Sequence, residues 1–167
     1  GCPFEEALEQ IGALYGRKLR PESPEKPDRQ KISLVSIGTG ALSQMTEEAR
    51  EAFSSCSAIV GAGRMVDSLT VFGKPSFASY KNREILEFIK AHPEYSHICV
   101  AFSGDLGFYS GAKGLLPLLL EEGYETVCIP GVSSLVYLAD RLGVSWDDAV
   151  FMSIHGRREN LIAAVRE

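Results

Sequence analysis

Four short segments of small residues hold the groups best suited to bind a ligand. Each follows an apolar run: Gly38-Thr39-Gly40, Gly61-Ala62-Gly63, Ser103-Gly104-Asp105, and the stretch from Pro130 to Ser134. Glycine lets the backbone approach a ligand closely and tolerates positive φ, and open parallel sheets bind ligands at the carboxyl ends of their strands. Together the segments predict a broad, shallow ligand floor, although any single one also fits an ordinary turn.

The same segments do not match the common nucleotide-binding loops. The chain has no GxxxxGK[ST] sequence, and GTGALSQM at residues 38–45 lacks the third glycine of a GxGxxG loop. No acidic residue closes a second strand about 20 residues later, where a ribose-binding carboxylate would lie. A nicotinamide-dependent reductase is therefore disfavoured. No Ser-His-Asp or nucleophile-elbow pattern occurs, and because the cysteines and histidines form no ligand cluster we expect no metal.

Regular alternation of strands and helices must position these segments. Apolar runs predict strands at 32–38, 57–63, 97–104, 125–131 and 148–156, with a short strand at 76–80. Helices are predicted at 47–56, capped by Thr46, at 82–95, at 110–124 with a bend at Pro117, and at 134–143 after Ser133 or Ser134. Continuous apolar strands alternating with helices are typical of a parallel sheet covered on both faces. The fold class is therefore α/β, with a doubly wound parallel sheet at 32–147.

Composition bounds the remaining possibilities. The chain has 167 residues, 45% of them hydrophobic, and a net charge of -5. No basic stripe favours nucleic acid, no apolar run is long enough for a membrane span, and four cysteines without a CxxC pair fit a reduced, cytoplasmic protein.

Residues 1–31 are predicted to form an amino-terminal appendage with a proline-rich linker, and residues 148–167 to begin a second α/β domain. The first residue, Gly1, suggests an excised fragment.

Taken in order, the segments resemble the tetrapyrrole (corrin/porphyrin) methyltransferase family, whose members use S-adenosylmethionine. The matching stretches span about residues 32–160 and read VSIGTGALSQMTEEA, AIVGAGRMVD, VAFSGDLGFYSGAKGLL and VCIPGVSSLVYLADRLGVSWDDAVFMSIHGR. Where the family commonly has Gly-Asp-Pro, this chain has Gly104-Asp105-Leu106. The stretches GFYS, PGVSS and SIHGR resemble the branch that methylates carbon 5 of precorrin-7 or cobalt-precorrin-7 in cobalamin biosynthesis.

The resemblance implies that two α/β domains hold the methyl donor in the cleft between them. The residues it assigns to S-adenosylmethionine are Gly38, Ser103, Gly104, Asp105, Leu106, Phe108, Tyr109, Val132, Ser133, Ser134, Met152 and His155. The catalytic residues are not identified; the candidates are Asp105 and His155, and a histidine at 155 could shuttle a proton from the ring system. Arg64, Arg157 and Arg158 would pair with substrate carboxylates.

Each assignment has a plainer alternative. Phe108 and Tyr109 could instead pack in the core. Asp105 and Ser133 could be turn or helix-capping residues. The arginines could be solvated surface residues, and His155 could be a buried, hydrogen-bonded histidine.

The partners implied are a small precorrin or cobalt-precorrin substrate, a second copy in a homodimer, and another cobalamin-pathway enzyme, fused or docked. Enzymes of the same fold could also methylate a different position of a tetrapyrrole, a diphthamide precursor or ribosomal RNA. The net negative charge of the chain disfavours RNA. A different class of function is also open, in which the chain is a non-catalytic truncated domain that serves in protein interaction.

Overall fold

The computed structural model describes residues 30–149. Over this range the strands are β1 (Lys31–Ser36), β2 (Ala58–Gly61), β3 (Ser76–Ala78), β4 (His97–Phe102) and β5 (Glu125–Ile129). The α-helices are α1 (Glu47–Ser55), α2 (Gly63–Ser68), α3 (Asn82–Ala91), α4 (Ala112–Glu121) and α5 (Ser134–Leu142), and 3-10 turns occupy Leu42–Gln44 and Thr70–Phe72. Residues 1–29 of the appendage predicted at 1–31, and residues 150–167 of the second domain predicted to begin at 148, lie outside the described residues.

All five strands are parallel and form one sheet in the order β3-β2-β4-β1-β5. The first two connections lead from β1 toward the β3 edge, and the next two lead back toward the β5 edge. Because crossovers between parallel strands are right-handed, the two pairs of connections lie on opposite faces of the sheet. The predicted doubly wound α/β class is confirmed.

Two hydrophobic cores cover the two faces of the sheet. Along β1 the side chains alternate, so Val35 packs toward α1 against Phe53, whereas Leu34 packs toward α3 and α4 against Ile89 and Leu115. All five of these side chains are fully buried. A strand that must serve both cores can have few polar positions, which is why the sequence shows a continuous apolar run.

Local capping chemistry fixes where the helices begin. The Thr46 hydroxyl accepts a hydrogen bond from Ala49 N at 3.3 Å, and Glu47 and Glu48 lie in the first turn of α1. At α5 the cap is Ser133, whose hydroxyl accepts from Leu135 N at 3.4 Å. No helix was predicted where α2 lies, because its six residues have no side-chain cap and little periodicity. No helix between residues 30 and 149 is long and apolar enough to cross a membrane.

Truncation of the α3–α4 core tests how far this packing stabilises the domain. Leu115 is fully buried on α4, so Leu115→Ala should lower the free energy of unfolding by about 2–5 kcal/mol through lost contacts and a cavity. Leu120 on the same helix is 50% exposed, and Leu120→Ala should cost less than about 1 kcal/mol. Urea unfolding of both variants measures the difference. Equal losses would contradict the assignment of Leu115 to this core.

The imidazole of His97 predicts a pH dependence of stability. Burial, together with the positive charge of Lys31, lowers the pKa of His97 below its usual range, while Glu125 opposes this shift. The ring lies 2.8 Å from the Ser33 hydroxyl and 3.7 Å from the Cys99 sulfur. Below the ordinary histidine pKa of about 6.5 the unfolded chain takes up a proton more readily than the folded one. Stability should therefore fall as the pH drops through that value toward the lowered pKa.

The test is urea unfolding at pH 8 and pH 5.5 for the wild-type protein and His97→Gln. The variant lacks this titration, so its loss of stability between the two pH values should be smaller than that of the wild type. An identical loss in both proteins would show that His97 does not carry the effect.

Candidate functional site

The candidate site begins where β1 and β4 end side by side. The connection after β1 leaves over one face of the sheet and that after β4 over the other, which opens the crevice of a topological switch point. Both turns are held together by backbone contacts, since Gly104 N donates to Gly38 O at 2.8 Å. Gly38 and Gly104 have φ of 61° and 69°, which glycine adopts without strain.

The turn after β5 packs directly onto this pair at Gly131. A Cβ at Gly131 would lie 2.6 Å from Ser36 Cβ, 2.9 Å from Gly104 O and 2.9 Å from Gly38 N. Real Cβ atoms do not approach other atoms so closely, so only glycine lets these three turns meet. Beneath them the hydroxyl of Ser36 is buried and has no hydrogen-bond partner within the described part of the chain.

A cleft of about 1260 Å³ lies over this edge of the sheet. Pockets for one ligand of ordinary size are about 300–1,000 Å³, so the cleft is larger than such a pocket. The sequence-predicted residues that line it are Gly38, Arg64, Ser103, Gly104, Asp105, Phe108, Tyr109, Ser133 and Ser134. The structure therefore brings together residues that are almost 100 positions apart in the chain.

Asp105 organises the loop that follows β4. Its Oδ1 accepts hydrogen bonds from Gly107 N at 2.6 Å and from Phe108 N at 3.1 Å. This is the geometry of a carboxylate that holds its own turn, which was the plainer alternative for Asp105. Asp105 also lines the cleft.

Phe108 and Tyr109 project from this loop instead of packing in the core. They are 37% and 45% exposed, and their rings meet edge to face with centroids 4.7 Å apart. Tyr109 has a φ of 51°, which costs a non-glycine residue roughly 1–2 kcal/mol. A strained residue that presents an aromatic ring to a cleft is a common feature of functional sites.

Two other predicted residues lie at the margin of the cleft. The side chain of Leu106 packs against the α3–α4 core and does not line the cleft. Val132 is 38% exposed and is not among the lining residues, but its backbone lies against Gly38, where a Cβ would be 3.3 Å from Val132 O.

The remaining predicted residues divide into two groups. Ser133 caps α5 through its hydroxyl and lines the cleft beside the exposed Ser134. Arg64 is exposed on α2 at the opposite side. Met152, His155, Arg157 and Arg158 lie outside the described residues, so their assignments stay predictions.

Sequence reasoning missed the part of the cleft that follows β3. Ser79 and Tyr80 line it there, together with Met65 and Ser68 from α2. The exit of β3 contains no glycine, so the pattern that revealed the other turns was absent. The predicted parallel sheet could have revealed these residues, because the carboxyl ends of all its strands, including β3, lie at the same edge.

Comparison with known proteins gives the family. The profile of the family described as Tetrapyrrole (Corrin/Porphyrin) Methylases matches residues 31–167. A curated relative, the probable cobalt-precorrin-7 C(5)-methyltransferase of Methanocaldococcus jannaschii, is 29% identical over 77% of this chain and 62% of its own length. The precorrin-6Y C(5,15)-methyltransferase [decarboxylating] of Sinorhizobium sp is 25% identical over 78% of this chain and 32% of its own length. The chain thus spans less than two thirds of either relative.

A solved structure supports the fold. The uroporphyrin-III C-methyl transferase of Thermus thermophilus, crystallised with S-adenosyl homocysteine, matches 64% of this chain and 46% of its own chain with a TM-score of 0.55 and 21% identity. The family profile covers more than half of the chain, and the sheet has the architecture of this solved structure. The chain therefore belongs to the tetrapyrrole (corrin/porphyrin) methylase family.

Proposed function

We propose that this chain forms one wall of a site that transfers a methyl group from S-adenosylmethionine to a ring carbon of a precorrin or cobalt-precorrin, with carbon 5 of precorrin-7 as the favoured position. The observation that carries the proposal is the backbone-lined cleft at the switch point, closed by the contact at Gly131. The ring position rests on the name of the archaeal relative. The relatives are longer than this chain, and we propose the activity for the whole protein.

The residues at the switch point fit the methyl donor. Tetrapyrrole methylases use S-adenosylmethionine, which supplies an electrophilic methyl group on a positively charged sulfur. Its amino acid and adenosine parts can take hydrogen bonds from backbone groups, and the turn at Gly104 permits a close approach because a Cβ there would meet no atom within 4 Å. The glycines at 38 and 131 instead let the three turns pack against one another. The buried, unpartnered hydroxyl of Ser36 adds a polar group directly under the floor.

Methyl transfer of this kind places modest chemical demands on the protein. The acceptor carbon is itself the nucleophile, so no triad or covalent intermediate is needed. The chain must align the two reactants and exclude water. Phe108 and Tyr109 provide an apolar wall for this purpose, and Asp105 fixes the loop that carries them.

One cationic side chain of the cleft suits an acidic acceptor. Arg64 lines it and is exposed, and a guanidinium can pair with the peripheral carboxylates of a precorrin through two parallel hydrogen bonds. The predicted pairing of Arg157 and Arg158 with the same substrate is part of the proposal.

Donor binding is tested by calorimetric titration with S-adenosylhomocysteine. Gly131→Ala forces a Cβ against Ser36 and the turns of β1 and β4, and overpacking of this kind should weaken binding by roughly tenfold or more. Gly63→Ala is the matched control, because a Cβ there meets no atom within 4 Å. Thermal melting of both variants checks that they are folded.

Two results would count against a donor site at the switch point. One is the absence of S-adenosylhomocysteine binding by the wild-type protein, both as this chain and as a longer piece of the protein. The other is unchanged affinity in folded Gly131→Ala.

Methyl transfer itself is tested with cobalt-precorrin-7 as acceptor and mass spectrometry of the product. Addition of one methyl group is expected, and Phe108→Ala should lower kcat by about tenfold to a hundredfold because water enters and alignment is lost. Phe108→Leu keeps apolar bulk and should retain most of the activity. Equal losses in both variants would show that the wall does not act by excluding water. No product from a longer piece of the protein that binds S-adenosylhomocysteine would refute this acceptor.

A further inference from the structure

Tyr80 is a large aromatic residue that contributes little to the fold. It follows β3 at the carboxyl edge of the sheet, is 77% exposed, and lines the same cleft as the glycine turns. A side chain so exposed buries little apolar surface and therefore stabilises the folded state only slightly.

The backbone on both sides of Tyr80 is nevertheless fixed. The buried Ser79 donates its N–H to Gly61 O at 2.8 Å, and its hydroxyl donates to Glu84 Oε2 at 2.7 Å while accepting from Lys81 N at 3.1 Å. Lys81 Nζ then pairs with Glu84 Oε1 at 2.6 Å. The hydrogen bond from Lys81, with that from Ser79, lowers the pKa of Glu84 below its usual range, so the carboxylate stays charged. The ring of Tyr80 thus stands on a rigid base, which lowers the entropy lost when it binds a ligand.

The position of Tyr80 separates it from the proposed donor site. β3 is two strands away from β4, and neighbouring strands are about 4.8 Å apart, so its carboxyl end lies about 10 Å from that of β4. Met65 and Arg64 of α2 line the cleft between them. Among residues 30–149, Arg64 forms no ion pair. The end of the cleft near β4 thus holds the glycine turns and the loop with Phe108 and Tyr109, whereas the end near β3 holds the ring of Tyr80.

We propose that Tyr80 and Arg64 form the acceptor subsite of this cleft. The ring of Tyr80 packs against the apolar face of an anionic tetrapyrrole, and Arg64 pairs with one of its peripheral carboxylates, so that Tyr80 contributes to the choice of acceptor. This inference rests on the proposed function, because it assigns the second half of the same site. The size of the cleft, which exceeds that of an ordinary single-ligand pocket, supports two bound molecules.

The test uses uroporphyrin III, a fluorescent polycarboxylate tetrapyrrole, as the probe in titrations of the protein in the presence of S-adenosylhomocysteine. Tyr80→Ala should weaken uroporphyrin binding about tenfold, the size expected for losing one aromatic contact. Tyr80→Phe keeps the ring and should stay within about twofold of the wild type. Arg64→Ala should weaken binding and also reduce its dependence on salt, because one charge pair is lost.

The matched control is Val71→Ala, since Val71 is 66% exposed and does not line the cleft. All variants change exposed side chains and should melt at the temperature of the wild type. Calorimetry with S-adenosylhomocysteine alone should give the same affinity in each of them, because the donor half is untouched.

The two proposals fail in different ways. Unchanged uroporphyrin affinity in Tyr80→Ala, or no uroporphyrin binding by a wild-type protein that binds S-adenosylhomocysteine, would overturn the acceptor subsite and leave the donor site standing. Loss of S-adenosylhomocysteine affinity in Tyr80→Ala would also overturn the division of the cleft. No S-adenosylhomocysteine binding by the wild-type protein would refute the proposed function, and the subsite with it.

Discussion

The close contact of three backbone turns at Gly131 is the constraint on which the rest of the site depends. The turn after β5 lies against the ends of β1 and β4 with no room for a side chain between them. This contact brings Ser133 and the start of α5 over the switch point, and it closes the floor of the cleft. Without it, the turns at Gly38 and Gly104 would be joined only to each other at the edge of the sheet.

Around this floor, polar groups serve mainly to fix backbone. Asp105 holds the loop with Phe108 and Tyr109, Ser133 caps α5, and Ser79 anchors the segment before Tyr80. The other side chains that line the cleft include aromatic, cationic and small ones. Such an arrangement suits a reaction whose two reactants are already an electrophile and a nucleophile, because the protein then needs to orient them and exclude water more than to supply catalytic groups.

Local signals made much of this structure predictable. Continuous apolar runs gave the strands, and Thr46 was recognised as a cap because capping depends on residues within one turn. What could not be predicted depends on distant contacts. Whether Phe108 is buried or exposed is decided by neighbours from other elements, and the choice between Ser133 and Ser134 as cap by the path of the incoming chain. Tyr80 was missed because its segment lacks the glycine that marks the other turns.

The two cores on opposite faces of the sheet have a consequence for how such a site can diverge. α2, which carries Arg64, lies over the core that contains Phe53, whereas the loop with Phe108 leads into α4 and the core that contains Leu115. Repacking within one core can be compensated by its own members, since the sheet separates it from the other. The two sides of the cleft can thus change independently during evolution, so that the floor proposed to bind the donor can be inherited unchanged while the side that carries Arg64 changes.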